Sequence, residues 1–121
     1  MTKRILVIED DKDILEILGI IFQDEGFDVI LSSTGAATEH IEALHPDLIL
    51  LDVRINGYDK RGDEICSELR SRYNPQELPI ILISAEMDIH RLASDCGANG
   101  YVKKPFDIAK LSRTVNEFLT A

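Results

Sequence analysis

Positive charge is the first shortage. The chain carries 13 Lys and Arg against 22 Asp and Glu, a formal net charge of -9 over 121 residues. Direct nucleic-acid binding needs a basic footprint, so this balance argues against it. It suits a cation-dependent site or a basic protein partner. Long apolar runs are missing too: no stretch approaches the roughly 20 residues that cross a bilayer. Met1-Thr2-Lys3-Arg4 leads straight into the short run Ile5–Ile8, which is too brief for a secretory leader and has no cleavage site. A cytoplasmic protein with no membrane contact is expected. Cysteine is scarce, with Cys66 and Cys96 and no C-x-x-C pair. Both are expected to be reduced thiols used for packing. Linkers, repeats and low-complexity segments are absent, so residues 1–121 are expected to form one domain without an appended effector domain. There is no G-x-x-x-x-G-K-[ST], no G-x-G-x-x-G and no H-E-x-x-H, which removes the usual nucleotide cradles and zinc-protease chemistry.

What is present is regular alternation. Asp47–Asp52 is an aliphatic run bounded by carboxylates, too continuously apolar for a half-exposed strand and suited to one buried on both faces. Pro79–Ser84 has the same character. Lys3–Ile8, Phe27–Leu31 and Tyr101–Lys103 complete five expected strands. Helical spacing appears between them. Asp11–Glu25 places Ile14, Ile17, Leu18, Ile21 and Phe22 on one face. Ala36–Leu44 turns Ala37, Ile41 and Leu44 inward, after N-cap candidates in Ser32–Gly35. Asp63–Arg72 offers Ile65, Cys66 and Leu69, and Met87–Asp95 offers Ile89, Leu92 and Ala93. The last helix presents Ile108, Leu111, Val115, Phe118 and Leu119. Five β-α repeats imply an α/β domain of three layers, with a central five-stranded parallel sheet and right-handed crossovers. The flavodoxin-like order 2-1-3-4-5 is the leading choice, with its switch point between the first and third strands.

That topology has a chemical consequence. The residues ending strands one and three, Glu9-Asp10 and Asp52, face each other across the switch-point crevice. Strand four delivers Ser84 and strand five delivers Lys104. Taken singly, each has a plainer reading: helix-dipole charges, a loop aspartate, a helix cap, a solvated lysine. All of them fall at carboxyl ends of strands, and that shared placement favours a site. Two carboxylates at ~4 Å repel by about 4 kcal/mol at an intermediate dielectric, so cations must offset them. Lys104 supplies one charge. Mg²⁺ suits the rest, because it takes one or two carboxylates, keeps waters and gathers phosphate oxygens. A carboxylate beside Mg²⁺, a hydroxyl and a lysine suits attack on phosphorus to give an acyl phosphate.

Four segments carry a family resemblance: Ile5-Leu6-Val7-Ile8-Glu9-Asp10-Asp11, Asp47-Leu48-Ile49-Leu50-Leu51-Asp52, Ile81-Leu82-Ile83-Ser84-Ala85 and Gly100-Tyr101-Val102-Lys103-Lys104-Pro105-Phe106. In order and spacing they resemble the CheY-like receiver domain of two-component response regulators. The resemblance implies a phosphorelay protein rather than an enzyme, with self-phosphorylation and slow autodephosphorylation as its only chemistry. Asp52 would accept the phosphoryl group from a histidine kinase or histidine phosphotransfer protein. Asp10 would ligate Mg²⁺ directly, Glu9 largely through water, and Arg54 through its backbone carbonyl. Ser84 would bond the phosphoryl group, Lys104 would pair with it, and the Lys104-Pro105 bond would be cis. Tyr101 resembles an aromatic switch that turns inward as Ser84 moves. The fourth helix, fifth strand and fifth helix would then meet a downstream protein partner, or a second copy in a homodimer.

The chain departs from the family in the loop after Asp52. Where the family usually carries Pro four residues on and Gly eight on, this chain has Asn56 and Lys60. Gly62 is the nearest candidate for that glycine, which implies two extra residues with Lys60-Arg61 at the tip. Arg54 adds a large basic group beside Asp52. This loop motivates an alternative, a protein-interaction module of the same fold that works without phosphate. A flavin-binding or phosphohydrolase reading fits less well. Glu9-Asp10-Asp11 would repel a cofactor phosphate, and Arg54 stands where aspartate-based phosphatases carry a second Asp.

Overall fold

A computed structural model describes residues 2–119. The strands are β1 (Arg4–Ile8), β2 (Asp28–Ser32), β3 (Leu48–Asp52), β4 (Ile80–Ser84) and β5 (Gly100–Lys103). All pair in parallel in the order β2-β1-β3-β4-β5. The helices are α1 (Lys12–Asp24), α2 (Ile41–Leu44), α3 (Gly62–Arg70), α4 (Ile89–Cys96) and α5 (Ile108–Leu119). This is the expected flavodoxin-like α/β architecture, with element ends moved by a residue or two. None of the described helices is long and apolar enough to cross a membrane.

Strand alternation builds two cores, one on each face of the sheet. Leu6, Ile8, Ile49, Leu51, Ile80 and Leu82 point to one side and meet Ile41, Ile65, Leu69, Ile89 and Ala93 from α2, α3 and α4. Ile5, Val7, Leu48, Leu50, Ile81, Ile83 and Val102 point to the other and meet Leu18, Phe22, Leu111, Val115 and Leu119 from α1 and α5. Both β3 and β4 are buried along their whole length. Each fully buried Leu or Ile contributes about 1.5–3 kcal/mol, so these central strands anchor the sheet.

Three local expectations change. The second helix is not continuous: Gly35–His40 winds as a 3-10 turn, and only Ile41–Leu44 is α-helical. The Thr38 hydroxyl donates to the Gly35 carbonyl at 2.6 Å. The Tyr58 ring packs so closely on Gly35 that an added Cβ would lie 2.5 Å from it. Both hold the first turn tight, and His45 ends α2 in the left-handed region at φ 51°. Ile17 and Ile108 do not face the core but are 47% and 48% exposed. Ile17 precedes the buried Leu18 by one position, which turns it well off the buried stripe. Finally, α4 begins after Met87, which is left in solvent.

Candidate functional site

Alternation also explains why the charged groups meet. Glu9 continues the side-chain row of Ile5 and Val7, and Asp52 continues that of Leu48 and Leu50. Lys104 stands two positions beyond Val102 in a third row. These three rows belong to the same face of the sheet. The pairing of Ile8 with Leu51 then sets Glu9 beside Asp52. Ser84 ends β4 and pairs with Lys103. The Lys104 amide donates to the Ser84 carbonyl at 2.8 Å, which carries the β4–β5 pairing on to the lysine itself. The Lys104-Pro105 bond is cis.

Lys104 Nζ donates to Glu9 Oε1 at 2.7 Å and to Asp52 Oδ2 at 3.4 Å. Glu9 is fully buried, and Asp52 and Ser84 nearly so. Glu9, Asp10 and Asp52 each offer an oxygen within 4.8 Å of the others. Asp11 stands apart from them. It caps α1, accepting from the amides of Asp13 and Ile14 at 3.0 and 3.2 Å, as the helix-dipole preference requires. The work is divided: one aspartate serves the helix, and Glu9 and Asp10 remain available to the cleft. That cleft, about 650 Å³, is lined by Glu9, Asp10, Asp11, Asp52, Arg54, Asn56, Ser84, Ala85, Glu86 and Lys104.

The electrostatics follow from burial. Asp52 is pushed up to about 8, first by desolvation and then by the neighbouring Glu9 carboxylate, while Lys104 pulls the other way. Burial works against the Lys104 charge, but Glu9 and Asp52 together outweigh it and raise the ammonium. One positive charge does not balance three carboxylates. Moreover, Glu9 Oε2 is buried with no hydrogen-bond partner. An orphaned carboxylate oxygen is costly and calls for a cation or an ordered water. Three acidic oxygen donors around it form a set suited to a hard divalent metal.

Sequence reasoning places Asp10, Asp52, Ser84, Lys104 and Glu9 together, and Arg54 lines the same cleft. It missed several contacts. The Asn56 amide donates to Asp10 Oδ2 at 3.2 Å, so the loop holds the aspartate. The Arg54 side chain forms an ion pair with Glu86. A signal for that pair was present, since each lies two positions past a strand-ending site residue, Asp52 and Ser84. Ser84 accepts from the Glu86 amide at 2.9 Å, closing the turn that positions this partner. Tyr101 is not among the residues lining the cleft. It is 39% exposed and packs edge-on to His90, with ring centroids 5.6 Å apart.

The unusual loop is well tied. Tyr58 OH donates to Glu39 at 3.0 Å, Lys60 pairs with Glu68 at 2.9 Å and Arg61 pairs with Asp63 at 3.0 Å. Gly62 ends the loop. Its amide donates to the Val53 carbonyl at 2.8 Å, and a Cβ there would lie 2.0 Å from the Asp52 carbonyl oxygen. Only glycine fits this approach, so Gly62 does what the sequence pattern asked of a glycine two positions earlier.

Residues 5–116 match the family model described as the response regulator receiver domain. Solved structures of similar shape agree. A CheY-like response regulator receiver domain protein from Methanospirillum hungatei JF-1 is 26% identical with a TM-score of 0.87, over 99% of this chain and 95% of its own. The BeF3-activated N-terminal receiver domain of Klebsiella pneumoniae RstA is 28% identical with a TM-score of 0.86, over 98% and 100%. The receiver domain of Brucella abortus NtrX is 26% identical with a TM-score of 0.84, over 97% and 98%.

Proposed function

Because the chain belongs to the response regulator receiver family, which implies phosphoryl-accepting two-component signalling, we propose that Asp52 is its phosphoacceptor. The donor is the phosphohistidine of a histidine kinase or histidine phosphotransfer protein. The observation that carries this reading is the contact of Lys104 Nζ with both Glu9 and Asp52 at the floor of the cleft. An ammonium held there is placed to neutralise phosphoryl oxygens as they arrive on Asp52.

The metal-free cluster holds a proton near pH 7, because burial and Glu9 raise Asp52. Nucleophilic attack requires the carboxylate, so that proton must leave first. Asp10, Asp52 and the Arg54 carbonyl would hold Mg²⁺, with Glu9 acting through water. When bound, Mg²⁺ supplies the positive charge that keeps Asp52 ionised and screens the phosphoryl oxygens. The Asp52 oxygen attacks phosphorus, and the phosphorus–nitrogen bond of the donor histidine breaks. Ser84 then hydrogen-bonds a phosphoryl oxygen and exchanges its bond with the Glu86 amide for that contact. The protein acts stoichiometrically rather than as an enzyme.

Movement of Ser84 is transmitted through β4 and α4 to Tyr101. Its ring now rests on His90 at the surface, and inward rotation would reshape the α4-β5-α5 face for a downstream partner or a second copy. A second reading, a phosphate-independent interaction module, draws on the Arg54–Glu86 pair beside the site. One experiment separates them. The protein is incubated with Mg²⁺ and acetyl phosphate, and intact mass is measured for wild type and Asp52→Ala. One phosphoryl adduct in wild type alone is expected. No adduct, or an adduct that persists in Asp52→Ala, overturns the proposal and leaves the interaction module.

A further inference from the structure

The two cysteines are 30 positions apart in sequence yet adjacent in the fold. Cys66 lies on the buried face of α3 and Cys96 closes α4, at 0% and 7% exposure. The Cys66 thiol donates to the Cys96 carbonyl at 3.5 Å. The Cys96 thiol in turn donates to the Ala93 carbonyl of its own helix at 3.6 Å. Neither thiol takes part in the phosphoryl chemistry. The expectation of reduced packing thiols agrees with the fold, since both are free and buried in one core; what the sequence does not show is that they are neighbours.

The geometry points to a redox modification site: Cys66 and Cys96 form a dithiol that a hydroperoxide converts to an intramolecular disulfide stapling α3 to α4. The roles divide by environment. Cys96, 7% exposed at the end of α4, is the thiol a hydroperoxide reaches first, and its neighbour Cys66 holds it down to about 7 against the opposing effect of burial. Cys66 is fully buried and is raised by the neighbouring Cys96 and by burial, so it keeps its proton. Cys96 is thus the attacking thiolate and Cys66 the resolving thiol. A neighbouring αL glycine, Gly97 at φ 82°, ends the helix beside Cys96 and leaves residues 97–99 partly exposed as the approach.

The chemistry balances. The Cys96 thiolate attacks one peroxide oxygen, forming a sulfur–oxygen bond as the oxygen–oxygen bond breaks. The departing oxygen takes up a proton and leaves as water, or as an alcohol from an organic hydroperoxide. Cys66 sulfur then attacks Cys96 sulfur. The sulfur–sulfur bond forms, the sulfur–oxygen bond breaks, and the released hydroxide takes the Cys66 proton and leaves as a second water. Two electrons pass from the sulfurs to the peroxide, and a dithiol reductant reverses the change.

The test uses the intact reduced protein treated with hydrogen peroxide and read by denatured intact mass. The expected product is a monomer lighter by two hydrogen atoms, restored by dithiothreitol, with a peptide containing Cys66 linked to one containing Cys96. Cys66→Ala should instead stop at a sulfenic acid on Cys96 that dimedone traps. Cys96→Ala should react at least about tenfold more slowly, because it lacks the activated thiol. In the oxidised wild type, amide hydrogen exchange across α4 should slow relative to the reduced protein. A cross-linked dimer, a stable sulfinic acid in wild type, or no mass change under peroxide overturns the proposal. None of these readouts uses a phosphodonor, so they stand whatever becomes of phosphorylation at Asp52. The wild-type mass also remains decisive if a cysteine variant fails to fold.

Discussion

Replacing Asp52 with Asn should stabilise the metal-free protein, although it removes the central group of the site. Glu9, Asp10 and Asp52 place oxygens within 4.8 Å of one another. At that separation each ionised pair repels by about 3–4 kcal/mol at an effective dielectric of about 20. Lys104 offsets only part of this, and the folded cluster responds by retaining a proton on Asp52, which is raised from 3.8 to about 8. A folded-state value above the unfolded one means that the folded chain binds the extra proton. That contribution to stability is fully present below about pH 3.8 and is lost as pH rises toward about 8. Within this window the slope is about 1.4 kcal/mol per pH unit, so wild type at pH 7 forgoes up to about 4 kcal/mol. Asparagine has no proton to lose, and it should recover about 2–4 kcal/mol after its weaker contact with Lys104 is counted. For a chain of this size that corresponds to roughly 6–16 °C in melting temperature. The assay is thermal and urea unfolding of both proteins in chelator, from pH 4 to pH 8. The gap between variant and wild type should be near zero at pH 4 and widen steadily to pH 7.5. Added Mg²⁺ should close it by stabilising wild type alone. A variant equal to or less stable than wild type at pH 7.5, or a gap that does not change with pH, would refute the reasoning.

Lys104→Met leaves Glu9 buried without its cation, and the cost should be about 2–4 kcal/mol near pH 7. Urea midpoints should show the loss, and phosphoryl uptake should fall with it. Gly62→Ala forces a methyl group to 2.0 Å from the Asp52 carbonyl. It should cost about 3 kcal/mol or more and weaken Mg²⁺ stabilisation, because the backbone of the site residue must move; a melting temperature within 2 °C of wild type would contradict the packing. Arg54→Ala removes an ion pair whose arginine side chain is 77% exposed. Its effect on melting should therefore be slight. The half-life of the Asp52 phosphoryl group, followed by intact mass, should shorten as water gains access; an unchanged half-life would show that the pair plays no part in covering the site.

Much of the fold was legible because each strand announces its environment. Leu48–Leu51 and Ile80–Ile83 lack polar breaks, which only strands covered on both faces tolerate. The order of strands and helices then allows few topologies. The site was legible for the same reason. Glu9, Asp52 and Ser84 each terminate an apolar run, and a parallel sheet gathers such ends at one edge. Lys104 follows the last strand and reaches the same edge. Ile17 and Ile108 were misread because apolar identity alone does not say which side of a marginal stripe a residue takes. The second helix was misread because the Thr38 hydroxyl bonds back to the Gly35 carbonyl within the first turn, while the Tyr58 ring presses on Gly35 from a distant loop that helical spacing does not register.

The loop after Asp52 shows where reading by spacing stops and contact takes over. Counting residues singles out Gly62 as displaced by two positions, but gives no reason why a glycine should follow the displacement. The reason lies in the backbone: the Gly62 amide bonds Val53, and its Cα passes under the Asp52 carbonyl. The start of α3 is thereby pinned to the end of β3, and the extra residues are pushed outward. There Lys60 and Arg61 find Glu68 and Asp63, and Tyr58 covers Gly35. The loop therefore builds the rim, while the floor of the cleft is left to Glu9, Asp10, Asp52 and Lys104. The Asn56 amide still reaches Asp10 from the near side of the insertion. Departures in this loop should accordingly change phosphoryl lifetime and partner choice before they change metal binding. Deleting Asp59 and Lys60 should preserve Mg²⁺ stabilisation within about threefold, since neither residue supplies a ligand and the Gly62 contact would be kept. Loss of Mg²⁺ stabilisation in that deletion would show that the rim and the floor are not independent.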